Sequence, residues 1–342
     1  MAEQSNCVGI SVIVQGPILS SPERKGERDI TIRCLTSIRA FFPQAEIVLS
    51  TWQKENTDGL DYDLLVKSED PGAVAFNDQG KPPGFNNTNR QIVSTRAGLD
   101  AATRPYAVKF RGDVCFESSD LLRYSGVLGE PLSHSPFRSR VLITNRYTRN
   151  PRRSLKSFHY SDLVQVGRTE DLRKYWSAPL VPEPETTRWL EGRKTALFVP
   201  VQGVYMRLVC EQYLALHLLA TTGRQIFLDH PHDISCSRLI LSERFLLDNF
   251  YLIEPAQIGV RLSDRLANAR WDDTYTSKEW ESLSRAYRHP LTRWIAQADL
   301  LVKAHWIVVD YFLQKSLGNS PLQKFPPYVW LRDCYRRFMP LP

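Results

Sequence analysis

Long apolar runs are missing from this 342-residue chain. No stretch of about twenty apolar residues occurs, so no membrane-spanning helix is expected. Its six cysteines (Cys7, Cys34, Cys115, Cys210, Cys236, Cys334) include no C-x-x-C pair, which argues against a zinc knuckle or a redox dithiol. Cys115 beside a strand and Cys210 at a helix start instead suit reduced, buried thiols in a cytoplasmic protein. The opening MAEQSNCVGISVIV has neither a basic n-region nor a small-residue cleavage site, so no secretory signal is expected. Without export, the acceptor-like Asn86-Asn87-Thr88 carries no meaning for glycosylation. No internal repeat, low-complexity tract, G-x-S-x-G elbow, Walker loop, G-x-G-x-x-G, H-E-x-x-H or kinase set appears.

What is present can build a sizeable core, because 42% of the residues are hydrophobic and 24% charged. The formal charge of +7 favours anionic partners such as nucleotide phosphates or lipid headgroups. Nucleic-acid binding would rest on charge alone, with no recognisable module, and is not expected.

Strand and helix patterns alternate over the first 115 residues. GISVIVQGP (9–17) is a β-branched run closed by Gly-Pro. In TIRCLTSIRAFF, Ile32, Leu35, Ile38 and Phe42 recur at helical spacing until Pro43 stops them. AEIVLSTW (45–52) and YDLLVKSEDPG (62–72) read as strands, the second ended by Asp70-Pro71-Gly72. The helix TNRQIVSTRAGLDAA and the strand YAVKFRGD follow. This order predicts an α/β fold with a mainly parallel central sheet flanked by helices. Such sheets bind ligands outside the carboxyl ends of their strands. Those ends carry Gln15-Gly16-Pro17, Ser50-Thr51-Trp52, Ser68-Glu69-Asp70 and Arg111-Gly112-Asp113.

On an exported protein Arg111-Gly112-Asp113 would suggest an adhesion loop. Delivered by a buried strand, it presents a carboxylate that can hold a divalent cation against a diphosphate. The other reading of Asp113 is a turn or cap residue. Asn86, Asn89 and Arg90 open the preceding helix and bring amide and guanidinium donors towards the same tip; equally, Asn86 or Thr88 caps that helix.

Further along, RSRVLITNRYTR and HYSDLVQVGR read as strands, and TEDLRKYW as a helix. ALFVPVQGVYM reads as a strand leading to a long amphipathic helix, EQYLALHLLATTG (211–223), capped by Gly223. Glu211 at its start suits a general base and equally suits a charge placed to favour the helix dipole. Asp229-His230-Pro231-His232-Asp233 is dense in metal-ligand types, but proline precludes a helical His pair. FYLIE is the last expected strand. From about residue 263 the chain becomes helix-forming, aromatic and basic, and residues 291–342 hold seven Lys/Arg against three Asp. This segment could lie along an anionic membrane surface or pack on its own domain.

Taken in order, SVIVQGPI, FFPQAEIVLSTW, LVKSEDPG, NNTNRQIVSTRAGL, YAVKFRGD and SDLVQVGRTEDLRKYW resemble the WavE lipopolysaccharide-synthesis family over roughly residues 9–255. The resemblance implies a GT-A-like glycosyltransferase domain over residues 1–262, with a nucleotide-binding half (1–115) and an acceptor half (116–262). Residues 263–342 are expected to form a helical, basic and aromatic extension. It implies a nucleotide-sugar donor and a lipid-linked or lipopolysaccharide glycan acceptor, met in the cytoplasm or at the inner membrane through residues 291–342. Gln15, Gly16 and Pro17 would line the nucleobase and ribose pocket, with Ser50, Thr51 and Trp52 beside it. Asn86, Asn89 and Arg90 would reach the ribose-phosphate side, and Glu211 would be the base of an inverting transfer. Asp113 would take the last position of an Asp-x-Asp motif and hold Mn²⁺ or Mg²⁺. Arg111 stands where that motif has its first acid, which puts the metal in doubt. Arg111 could instead neutralise the diphosphate directly. The other readings are a sugar-phosphate or nucleotidyl transferase on a similar sheet, and a non-catalytic polysaccharide-assembly protein.

Overall fold

The computed structural model describes residues 9–19, 29–76, 84–124, 135–191, 206–269 and 271–317, the last helix by its backbone alone beyond residue 310. The strands are β1 (Ile10–Gln15), β2 (Glu46–Trp52), β3 (Leu64–Ser68), β4 (Val74–Phe76), β5 (Gly84–Asn86), β6 (Tyr106–Arg111), β7 (Val114–Phe116), β8 (Val141–Thr144), β9 (Gln165–Arg168), β10 (Phe250–Ile253) and β11 (Val260–Leu262). The helices are α1 (Ile30–Phe41), α2 (Thr88–Ala101), α3 (Thr169–Tyr175), α4 (Cys210–Ala220), α5 (Cys236–Asn249), α6 (Asp264–Ala267), α7 (Ser277–Ala286) and α8 (Pro290–Leu317).

Seven strands form one sheet in the order β10-β8-β9-β6-β1-β2-β3. The pairs β1–β2, β2–β3, β1–β6 and β8–β10 are parallel, whereas β9 runs antiparallel to both β6 and β8. The expected α/β class with a mainly parallel sheet is the one observed. Ile13, Val48, Ile92 and Leu99 bury one face of the sheet, and Val12, Val14, Leu35, Ile38 and Ile47 the other. Every residue of β2 is buried, as a parallel strand covered on both faces requires. Gly98 lets α2 lie close against the sheet: a Cβ there would sit 2.4 Å from Ile13 Cγ2.

Several expectations change in detail. The helix at 211–223 starts at Cys210, ends at Ala220, and is buried on nearly every side rather than amphipathic. Gly223, with φ 81°, lies beyond its C-cap Thr221. The stretch between QIFLDHPHDIS and FYLIE, given no element from sequence, is α5, whose N-cap Ser235 accepts from the Arg238 amide. The strand expected in ALFVPVQGVYM lies, except for Met206, outside the described residues, as do Cys7 and Cys334. Cys34, Cys115, Cys210 and Cys236 are free thiols; Cys34 and Cys210 are buried, and Cys236 is exposed.

Residues beyond 262 share the main core, since Tyr275 and Trp280 are buried with Phe245 and Phe250. Leu300 and Ala304 of α8 pack on Leu239 of α5. Arg152 joins these pieces by pairing with Glu243 of α5 and, at 2.8 Å, with Asp299 of α8.

Candidate active site

Strand order reverses direction in sequence between β1 and β6: β2 and β3 continue to one side of β1, and α2 returns the chain to the other. A crevice opens there outside the carboxyl ends of the strands, where this class of sheet binds its ligands. A cleft of about 570 Å³ occupies it, within the size range of a small-molecule site. β1 feeds it through Gly16, whose φ of 118° suits glycine and which donates to Ser50 O at 3.1 Å. β6 feeds it through Gly112, which donates to Gln15 O at 3.3 Å.

Seven of the residues expected from sequence line this cleft together: Gln15, Gly16, Pro17, Trp52, Arg90, Arg111 and Asp113. The Gln15 side-chain oxygen accepts from Ser94 Oγ (2.6 Å), and its amide nitrogen makes no hydrogen bond among the described residues. Arg90 is forked onto Asp70, with Nε 2.7 Å from Oδ1, and this pair holds the Asp70 carboxyl below its ordinary range.

Five expected residues lie elsewhere, Glu211 and four whose side chains are spent on the fold. Ser50 and Thr51 are fully buried; Ser50 donates to Ser94 O (2.7 Å), so it ties β2 to α2 instead of facing the cleft. Asn86 accepts from the Thr88 amide (2.9 Å) and donates to Thr186 O (2.8 Å). Asn89 makes a reciprocal pair with the Val181 backbone, at 3.0 and 2.8 Å. Both asparagines therefore anchor the 181–187 loop to the start of α2.

The Asp113 carboxylate is 5% exposed and accepts from three guanidinium nitrogens. Arg111 Nε lies 2.8 Å from Oδ1, Arg111 Nη2 2.7 Å from Oδ2, and Arg265 Nη2 3.2 Å from Oδ2. Burial by itself would raise this carboxyl's pKa; the charges and hydrogen bonds of Arg111 and Arg265 prevail and hold it below its ordinary range. Among the described residues no group of three His, Cys, Asp or Glu side chains is placed to hold a metal ion, and the 229–233 motif is no exception. A divalent cation needs two or more carboxylate oxygens with free lone pairs; three of the four lone pairs of Asp113 are taken by guanidinium hydrogens, and the two arginines would repel a cation at the fourth. The Asp113 donor set does not fit Mn²⁺ or Mg²⁺.

Glu211 opens α4 outside the lining of this cleft, in a second polar cluster. Burial, and next the neighbouring Asp162, push its pKa up to about 7, against the opposing charges of Lys156 and Arg149. His159 Nε2 lies 3.8 Å from Glu211 Oε2. The Nδ1 of the same ring is 2.7 Å from the Tyr147 carbonyl, so it is the protonated nitrogen and Nε2 is bare. Burial, with Lys156 and Arg149 nearby, keeps this imidazole neutral. Phe158 and Tyr147, which set the ring and its acceptor, have φ of 55° and 67°, a left-handed backbone that bulky residues rarely adopt. Strain of this kind gathers at functional sites.

The two clusters communicate. The Tyr147 hydroxyl, its pKa raised by burial and Glu211, also feels the opposing charges of Arg111 and Arg265. On β6, Lys109 is fully buried, donates to the Asp162 backbone carbonyl and lies 4.9 Å from the Trp176 ring centroid. Lys109 feels the charges of Asp162, Arg111 and Asp113, and Glu211 that of Asp162, so the two clusters lie within electrostatic reach of one another.

Residues 10–306 match the WavE lipopolysaccharide synthesis family. The chain belongs to that family. No curated protein matches. Among solved structures, the chain is similar to a cytidylyltransferase from Leptospira borgpetersenii serovar Hardjo-bovis (13% identity, 54% of this chain and 70% of that one, TM-score 0.29). It is also similar to a 4-diphosphocytidyl-2C-methyl-D-erythritol synthase from Anaerococcus prevotii (13% identity, 63% and 98%, TM-score 0.31). A third is a Drosophila β-1,4-galactosyltransferase 7 in complex with manganese, UDP-Gal and xylobiose (12% identity, 66% and 66%, TM-score 0.27).

Sequence reasoning missed Arg265, Ser94 and Glu55 in the cleft, and Tyr147, Lys156, His159 and Asp162 around Glu211. Arg265 arrives from 152 positions beyond Asp113, and no local pattern announces it. In HYSDLVQVGR, His159, Ser161, Asp162 and Gln165 were visible as polar residues inside a strand-like run. All four are buried, and buried polar groups ask for a reason.

Proposed function

We propose that this WavE-family protein is an inverting glycosyltransferase of the GT-A type. It moves a sugar from a nucleotide-sugar donor to a bacterial surface glycan: lipopolysaccharide core, O-antigen or capsule. The observation that carries this reading is the cleft at the β1/β6 switch point, in which Gln15, Trp52 and three arginines meet a buried carboxylate. The nucleoside lies against Gln15, Gly16, Pro17 and Trp52, and the donor phosphates against Arg90, Arg111 and Arg265.

In the reaction, Glu211 takes the proton of the acceptor hydroxyl. The acceptor oxygen forms a bond to the anomeric carbon as the bond from that carbon to the donor phosphate breaks. The nucleotide leaves with the electron pair, and the arginines stabilise its charge. A carboxyl titrating near neutrality is well matched to proton abstraction. The test is sugar transfer, or donor hydrolysis in the absence of acceptor, by Glu211→Gln and Asp113→Asn. Loss of a general base is expected to cost about a hundredfold or more. Near-wild-type rates in both well-folded variants would sink the assignments.

The three-arginine cluster also suits attack at phosphorus, which supports a sugar-phosphate or nucleotidyl transferase as the second reading. Product analysis with a labelled donor separates the two, since one product carries the sugar alone and the other a phosphate.

The protein acts in the cytoplasm, bound peripherally to the inner membrane through α8. Leu291, Trp294 and Ile295 are exposed there, next to Arg288 and Arg293. Among the described residues no helix is long and apolar enough to cross a membrane. Replacing Leu291, Trp294 and Ile295 together by Ser is expected to abolish binding to anionic liposomes. Unchanged binding would remove this contact.

A further inference from the structure

The Asp113 end of the cleft has the wrong chemistry for a cation and the right chemistry for an anion. Two guanidinium groups share the Asp113 carboxylate, an excess of one positive charge within that cluster; Arg90 is paired with Asp70, and Glu55 also lines the cleft. Arg111 spends Nε and Nη2 on Asp113, and its Nη1 makes no hydrogen bond to the described residues. Arg265 spends only Nη2, and its Nε and Nη1 are likewise free among them. All three side chains line the cleft, together with Asn87 and Arg90 at the start of α2. Asn87 gives that helix no side-chain cap, while its first amide, that of Thr88, is taken by Asn86 Oδ1.

We propose that the cleft binds a diphosphate directly through Arg111 and Arg265, without a divalent cation, and that Asp113 is the strut holding the two guanidiniums side by side. The proposal rests on the donor-site reading above and assigns the ligand class of that site: inorganic or nucleoside diphosphate. A planar guanidinium fork matches two phosphate oxygens at once, which an ammonium does not. The carboxylate between Arg111 and Arg265 cancels the repulsion that would otherwise separate them. Arg265 is then a binding residue contributed by α6, beyond the boundary at residue 262.

The experiment is calorimetric titration of the full chain with inorganic pyrophosphate and with UDP, first in EDTA and then in excess Mg²⁺ or Mn²⁺. The expected result is pyrophosphate binding in EDTA, with an affinity that added metal changes by less than about threefold. Arg265 is 56% exposed, so Arg265→Gln is expected to fold normally and to weaken pyrophosphate at least about tenfold. Arg265→Lys should restore little, because a point charge lacks the fork. Pyrophosphate binding that appears only with metal, or an Arg265→Gln variant that binds as tightly as wild type, overturns the proposal. Binding in EDTA with no nucleotide sugar turned over would leave this site standing and remove the glycosyltransfer reading. Transfer that requires added metal would do the reverse.

Discussion

The Nε2 of His159 lies 3.8 Å from Oε2 of Glu211, while its Nδ1 is fixed 2.7 Å from the Tyr147 carbonyl. The ring's one proton is committed away from Glu211, so the face turned to the carboxyl is a lone pair. Burial, and next Asp162, favour a protonated Glu211 carboxyl; Lys156 and Arg149 oppose them. The balance leaves Glu211 poised near neutrality.

The pH dependence of transfer follows from this balance. A general base works deprotonated, so kcat/KM should rise with pH through an acid limb at about 7. Lys156 lowers the Glu211 pKa, so Lys156→Met should move that limb to higher pH, on the order of one unit. A pH-rate profile of both proteins checks this. An acid limb left in the ordinary carboxylate range of about 4 to 5 would remove Glu211 as the base.

Glu211 also makes stability depend on pH. Its folded pKa is raised above the unfolded value of 4.5 to about 7, so folding favours the protonated form. Its contribution is complete below the unfolded value and is lost as pH rises through 7. Glutamine stays neutral throughout. Glu211→Gln is therefore expected to melt a few degrees above wild type at about pH 8 and near wild type at about pH 4. Thermal unfolding at both pH values measures it, and a variant less stable at the higher pH would contradict the account.

Away from the cleft, the Arg152–Glu243 pair links the loop after β8 to α5 and α8. Glu243 is fully buried and accepts from Arg152, from Tyr275 (3.0 Å) and from Tyr287 (2.7 Å). Removing one partner strands a buried charge, so Glu243→Ala should cost about 3–5 kcal/mol. Denaturant titration reads this directly, and a loss below about 1 kcal/mol would show that the network contributes little.

Much of the nucleotide-side architecture was legible locally. GISVIVQGP, AEIVLSTW and YAVKFRGD are β-branched or apolar runs closed by polar turns, and the helix patterns between them force parallel crossovers. That logic delivered Gln15, Trp52, Arg111 and Asp113 to one edge. It misjudged Ser50 and Thr51, because a strand buried on both faces gives no alternation to show which polar tips point inward. It misjudged Asn86 and Asn89, because an amide suited to a ligand is equally suited to a backbone 92 to 100 residues away.

The sequence by itself determined the α/β class, the strand ends that carry the cleft, and the family, since all of these are written in short-range patterns and their order. Only the tertiary structure decided that Asp113 faces guanidiniums on both sides, that β9 runs antiparallel, and that Glu211, its side chain 12% exposed, is set beside His159 and within reach of the Asp162 charge. Strand direction is set by where a connection returns. A carboxylate's role is set by the charges packed around it, and Arg265 and His159 reach theirs from distant parts of the chain.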